Sequence, residues 1–213
     1  MLGPDEFPTY SVAERRADAA IHFAGIGAAL IATFWLFWQA AWAEAGASLV
    51  LYGLCLMTML TASALYNLTP VSRLKELMRR ADHAAIYLMI AGTYTPFALN
   101  SLAGPAGVGI AIVIWLAAAF GVVLSIFYAR RFEVFKIVLY LVMGWMILPV
   151  VAPLYRAVTP AVLWLLLAGG VIYSLGAVVY LLRKLPFHNP LWHAMVLAAA
   201  SLHFSAMVIE FVL

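Results

Sequence analysis

Seven apolar runs of about 20 residues, parted by short polar connections, decide what this chain of 213 residues can become. A helix rising 1.5 Å per residue needs about 20 residues to cross roughly 30 Å of hydrocarbon. The runs fall near 19–43, 46–68, 83–101, 106–128, 134–152, 160–182 and 191–212. Composition agrees: 67% of residues are apolar and 10% charged, against roughly 45–50% and 25% in soluble domains. The sequence therefore predicts an all-α membrane protein, a seven-transmembrane helix bundle. A cytoplasmic N-terminal segment, 1–18, precedes a single domain, 19–213. That segment carries Asp5, Glu6, Glu14, Arg15, Arg16 and Asp18, and the run after it is too long for a signal-peptide core. The first span is therefore expected in the mature protein. Cys55, the one cysteine, sits in an apolar run and reads as a small packing residue.

Charge sets the expected orientation. Eleven of the twelve Lys and Arg residues lie in the N-terminal segment and in the second, fourth and sixth loops; Arg156 alone falls on the other side. By the positive-inside rule the N-terminus is cytoplasmic and the C-terminus, Leu213, lies outside. This suits a multi-pass protein of a bacterial inner membrane. The net charge of +3 needs no nucleic-acid partner, because contact with anionic headgroups accounts for a basic face of this size. Trp35, Trp38 and Trp42 read as interfacial anchors.

Polar side chains within spans are costly and usually face the bundle interior. Ser63 and Asn67 close the second span one helical turn apart, hence on one face. Asp82 and His83 open the third span from the same side, Asn189 and His193 open the seventh, and His22 lies at a similar level in the first. Structural roles compete with a shared site. Asn189 before Pro190 reads as a helix cap, and Asp82 at a helix N-terminus suits the macrodipole. His203, about 15 Å beyond His193 along its helix, is expected to bond across helices, and Glu210 to reach the outer interface. Gly25, Gly27, Gly144, Gly169 and Gly170 read as close-packing positions. No phosphate-binding glycine loop, His-Glu-x-x-His helix or paired-cysteine spacing is present.

Three segments carry a resemblance: Ser63 to Asn67 (SALYN), Ala81 to Phe97 (ADHAAIYLMIAGTYTPF) and Leu191 to Phe204 (LWHAMVLAAASLHF). Together with seven spans they resemble the bacterial hemolysin III proteins, which belong with the progestin and adipoQ receptors, adiponectin receptors among them. The resemblance implies a pattern of Ser-x-x-x-His closing the second span, Asp opening the third and His-x-x-x-His opening the seventh. In that pattern the three histidines hold zinc and the aspartate positions its water. Ser63, Asp82 and His193 match; Asn67 and Asn189 stand at the other two histidine positions. Carboxamide is a poor zinc ligand, so His193 is the one matching histidine and the set falls short of three protein ligands. No cofactor is favoured on this pattern. His188 and His83 are the neighbours from which a metal site would have to be rebuilt.

The expectation is a degenerate former zinc site in which Ser63, Asn67, Asp82, Asn189 and His193 form a polar pocket on the cytoplasmic side. Its role would be lipid sensing or membrane homeostasis, with a fatty acid or ceramide-like membrane lipid as partner. The alternative implied by the resemblance is a metal-dependent lipid amide hydrolase with Asp82 and His193 catalytic. A second alternative, a cytolytic or pore-forming protein, finds few interior charges to line an ion path.

Overall fold

The computed structural model describes residues 7–102, 104–128 and 130–213; Asp5 and Glu6 of the predicted N-terminal segment lie outside them. The described residues are helical and contain no strand. Eight α-helices follow in order among the described residues: α1 (Val12–Ala40), α2 (Gly46–Leu68), α3 (Arg73–Pro96), α4 (Gly104–Phe127), α5 (Glu133–Gly144), α6 (Val151–Ala157), α7 (Pro160–Leu181) and α8 (His188–Phe211). Among the described residues, six segments are long and apolar enough to cross a membrane: α1, α2, α4, the α5–α6 stretch, α7 and α8. Large apolar side chains such as Phe34 (76% exposed) and Trp164 (69%) stand on the outside of the bundle, where a soluble domain would be expected to present charge. Trp38 and Trp42 are likewise exposed.

Boundaries depart from the sequence reading wherever capping decides them. Ser11 and Glu14 form a reciprocal capping box that starts α1 at Val12, so Asp18 lies well inside the helix. Ser72 accepts from the Lys75 N–H and starts α3 at Arg73, ten residues before the predicted third span. Asp82 therefore sits mid-helix, and the macrodipole does not account for it. The Lys75 ammonium turns back to the carbonyls of Tyr66 and Thr69 at 2.7 and 2.9 Å, closing the end of α2. The predicted fifth span is broken, with α5 ending at Gly144 and a short 3-10 turn, Leu148–Val150, leading into α6; Pro149 and Pro153 remove donors there.

Packing runs α7–α8–α1–α2–α3–α4, with α5 against α3, α4 and α7. Small residues permit the closest approaches. A Cβ at Gly92 would meet Cys55 at 2.8 Å, one at Gly169 the His203 ring at 2.4 Å, and one at Gly25 the Leu197 side chain at 3.3 Å. Gly27 and Gly144, by contrast, meet nothing within 4 Å. His203 bonds the Leu166 carbonyl on α7 at 3.1 Å, the interhelical role expected of it. Glu210, in the last turn of α8, accepts from the Ser101 hydroxyl at 2.9 Å.

One end of the bundle gathers charge. Glu76 pairs with Arg79 (3.0 Å) and Arg130 (2.8 Å), and Glu133 pairs with Arg79 (3.6 Å) and Arg183 (3.0 Å). Glu14 accepts from the Phe187 N–H at 2.9 Å. The start of α1, the start of α3 and the α4–α5 and α7–α8 connections thus share one surface.

Candidate functional site

Four helices bring polar side chains together beneath that charged surface. On α1, Asp18 and His22 are spaced i, i+4 and share a face; close packing of Gly25 against Leu197 draws α1 onto α8. The His22 and His193 rings consequently lie 4.5 Å apart. His193 Nδ1–H donates to Asp18 Oδ1 at 2.6 Å, and His22 Nε2 lies 3.5 Å from Asp18 Oδ2. Asp18, His22 and His193 are all more than nine-tenths buried.

The other ring nitrogen of His193 faces α2. Its Nε2 lies 3.5 Å from Ser63 Oγ and 3.5 Å from Asn67 Nδ2. Asn67 Nδ2 also donates to the Ser63 carbonyl at 2.9 Å, and Asn189 Nδ2 donates to Asn67 Oδ1 at 3.3 Å. Asp82 neighbours the Ser63 hydroxyl from α3. Hence Ser63, Asn67, Asp82, Asn189 and His193, drawn from three helices, stand in one place. Asn189 is not the cap read from the sequence: Phe187, at φ 57°, precedes a helix that begins at His188.

Neither histidine considered for a rebuilt site joins the cluster of Asp18, His22 and His193, although both line the polar cavity beside it. The His188 ring packs on Tyr10 and bonds the Leu185 carbonyl, while the His83 backbone accepts from Tyr140. The sequence reading missed Asp18, which it placed in the N-terminal segment. The available signal was the Asp-x-x-x-His spacing on the first helix, which puts carboxylate and imidazole on one face.

Two imidazoles and a carboxylate change the donor chemistry. Ligand atoms of Asp18, His22 and His193 all lie within 4.8 Å of one another, and His22 Nε2 is buried without a hydrogen-bond partner. Two His and one carboxylate are a set that catalytic zinc accepts, so these three residues fit a divalent cation even though Asn67 and Asn189 do not.

The site stands where polar and apolar spaces meet. A polar cavity of 430 Å³ opens from Asn67, Asp82, Asn189 and His193 toward Arg79 and Arg183. An apolar cavity of 70 Å³ lies on the other side, lined by His22, Met59, Ser63, Ile86 and Tyr173. Asp82, Trp192 and His193 line both. Through Met59, Ile86, Tyr173 and Trp192 the apolar space adjoins a further cavity of 110 Å³. Beyond that, a cavity of 460 Å³ shares Tyr94, Trp145, Gly170 and His203.

Residues 11–204 match the family described as haemolysin-III related. The chain is 34% identical over 198 residues to the hemolysin-3 homolog of Bacillus subtilis (strain 168), covering 92% of this chain and 93% of that one. Against hemolysin-3 of Bacillus cereus it is 38% identical over 201 residues, 92% and 91% of the two chains. The human monocyte to macrophage differentiation factor is 30% identical over 165 residues, 74% of this chain and 67% of the relative. No solved structure matches. The apolar helices and the bacterial relatives agree with a multi-pass protein of the inner membrane. With nearly the whole chain aligned and a buried Asp/His cluster among its helices, this protein is a member of the haemolysin-III-related family of membrane proteins.

Proposed function

We propose that this protein binds one acyl-chain lipid inside its bundle, headgroup in the polar cavity and chain in the apolar ones. The observation that carries the reading is the junction: Asp82, Trp192 and His193 wall the polar cavity on one side and the apolar cavity on the other. Arg79, Arg183 and Lys184 at the polar mouth suit an anionic or hydrogen-bonding headgroup. Successive apolar cavities past Met59, Tyr173 and Trp145 suit a hydrocarbon chain. The same reading takes α3, continued by the π-helical turn Phe97–Ser101, as a seventh crossing. With basic residues biased to one side, that leaves the N-terminus cytoplasmic and the headgroup cavity facing the cytoplasmic leaflet.

A second reading has one observation in its favour. A divalent metal held by Asp18, His22 and His193 would polarise a lipid carbonyl and acidify a bound water, as in the lipid amide hydrolase alternative. Elemental analysis of purified protein tests it, with stoichiometric zinc expected only if those residues hold the ion.

Binding is measured with delipidated protein in detergent and a brominated fatty acid, which quenches nearby indoles. Saturable quenching, reduced on Trp192→Phe and reduced further on Trp145→Phe, is expected. Quenching that rises linearly without saturation would overturn the reading.

A further inference from the structure

We propose that residues 7–11 form a strap across the mouth of the polar cavity, and that its opening sets how fast polar groups pass between solvent and the cavity floor. The inference rests on the lipid-binding reading for what the cavity holds, and on the contacts of the strap for the gating. Phe7 is 6% exposed although it lies ahead of α1. The Lys75 ammonium stands over its ring at 5.8 Å and the Arg130 guanidinium at 5.4 Å, two cations on one aromatic side chain. Three residues on, the Tyr10 ring packs against His188 at 5.7 Å. One anchor therefore engages α3 and the α4–α5 connection, and the other engages the start of α8.

Between the anchors the chain bridges space. Pro8, Thr9 and Tyr10 line the 430 Å³ cavity, and Pro8 and Thr9 are exposed, so no second layer of protein lies over them. Other parts of the same wall come from Arg79, Glu133 and Arg183, which ion pairs hold together. The strap has no such fastening. Among the described residues no backbone–backbone hydrogen bond reaches Phe7, Pro8, Thr9 or Tyr10. Fixed structure begins at Ser11, where the capping box starts α1 and Glu14 takes the Phe187 N–H.

Two ring contacts and a firm base make a gate with a hinge. Segments with few packed contacts and few backbone bonds open well below the free energy of global unfolding. Pro8 fixes its own φ and keeps Phe7 extended, so the strap swings about Ser11 as one stiff piece. In the closed position Phe7 sits under its two cations; in the open one both rings leave their partners and the mouth clears. An open state populated at about 0.1–10% holds traffic through the mouth to that fraction of the ungated rate.

Arg130 joins the strap to the cavity. It stands over Phe7, lines the cavity and pairs with Glu76 at 2.8 Å, so the ion pairs that shape the cavity wall also place the cation that holds the strap shut. The anchor should follow the order of ring–cation attraction, strongest for Trp. Leu keeps apolar bulk without a π face, and Ala keeps neither.

The test reads entry into the cavity with no lipid present. His83 lines the cavity, so His83→Cys places a thiol there for sulfonatoethyl methanethiosulfonate, a charged reagent, to find in the full chain purified in detergent. The thiolate attacks the reagent, a mixed disulfide forms and methanesulfinate leaves, and mass counts the adducts. Cys55, buried in the apolar core, is the internal reporter of a loosened bundle. Modification of His83→Cys is expected to be slow, and at least about tenfold faster once Phe7→Ala or Tyr10→Ala is added, with Cys55 still unmodified. Phe7→Trp should stay as slow as the parent and Phe7→Leu should fall between. Equal rates with and without the anchors, a Phe7→Trp rate matching Phe7→Ala, or acceleration only together with Cys55 modification would each overturn the strap. Saturable quenching by the brominated fatty acid is scored separately: gated labelling without it removes the lipid and keeps the strap, and ungated labelling with it does the reverse.

Discussion

Asp18 and His193 meet at 2.6 Å although 175 positions separate them, and this contact ties the first helix to the last inside the bundle. Both side chains are buried, so removing one leaves the other without its charge-assisted partner. Asp18→Ala is expected to lower stability by about 1–3 kcal/mol, read as a lower unfolding midpoint in detergent. Combined with His193→Ala the two losses should be less than additive, because they share one interaction. Strict additivity would show that the contact contributes nothing.

The helical framework was legible because length and hydropathy are local properties, and six of the predicted runs reappear as long apolar helices or, in the fifth case, a broken one. Helix starts were less so. Ser72 and Ser11 begin α3 and α1 upstream of the apolar runs, in sequence that reads as polar connection. Half of the site could be read from spacing alone: Ser63 with Asn67 on α2, Asn189 with His193 on α8. The spacing of Asp18 and His22 likewise put those two on one face, but that His193 is their partner could not be read, since it is set by how closely Gly25 lets α1 approach Leu197, a tertiary fact. The broken fifth span had a visible cause in Pro149 and Pro153, but prolines in membrane helices are common enough that they do not announce a break.

Acid should loosen the charged end of the bundle through Glu76. Partial burial works to raise its carboxyl, but the Arg79 and Arg130 guanidiniums outweigh it and hold the group below the usual carboxylate value of 4.5. A carboxyl depressed in the folded state stabilises fully above its unfolded value and loses that contribution as pH falls through the folded one. The unfolding midpoint of the wild type should therefore drop between roughly pH 5 and pH 3. Glu76→Gln should start lower at neutral pH and show a shallower fall, measured by thermal scans across that range. An equal slope in both proteins would exclude Glu76 as the source.

Gly121 is the point at which α4 lies against Tyr87. A Cβ there would stand 2.3 Å from the Tyr87 ring, a fully buried side chain that also packs on Tyr140. Gly121→Ala should cost about 1–3 kcal/mol through overpacking. Gly27→Ala, with nothing within 4 Å, should be neutral or stabilising by up to about 1 kcal/mol through helix propensity. Parallel denaturation of the two variants checks the contrast, and equal effects would mean that α3 and α4 are not held this closely.

Gly170 lines both the 110 Å³ and the 460 Å³ apolar cavities, and a Cβ added to it would reach no closer than 3.9 Å to Trp145. A larger side chain at this position therefore enters space that a lipid chain would otherwise take, without first displacing a neighbour. Gly170→Leu is expected to keep the fold and to shorten the hydrocarbon the bundle accepts. Affinity for fatty acids of increasing length should rise with each methylene by about 0.8 kcal/mol where the chain is buried, and should stop rising at a shorter chain in the variant. Titration of a length series by indole quenching, wild type against Gly170→Leu, measures the break point. The same break point in both proteins would place the chain elsewhere and remove these cavities from the binding path.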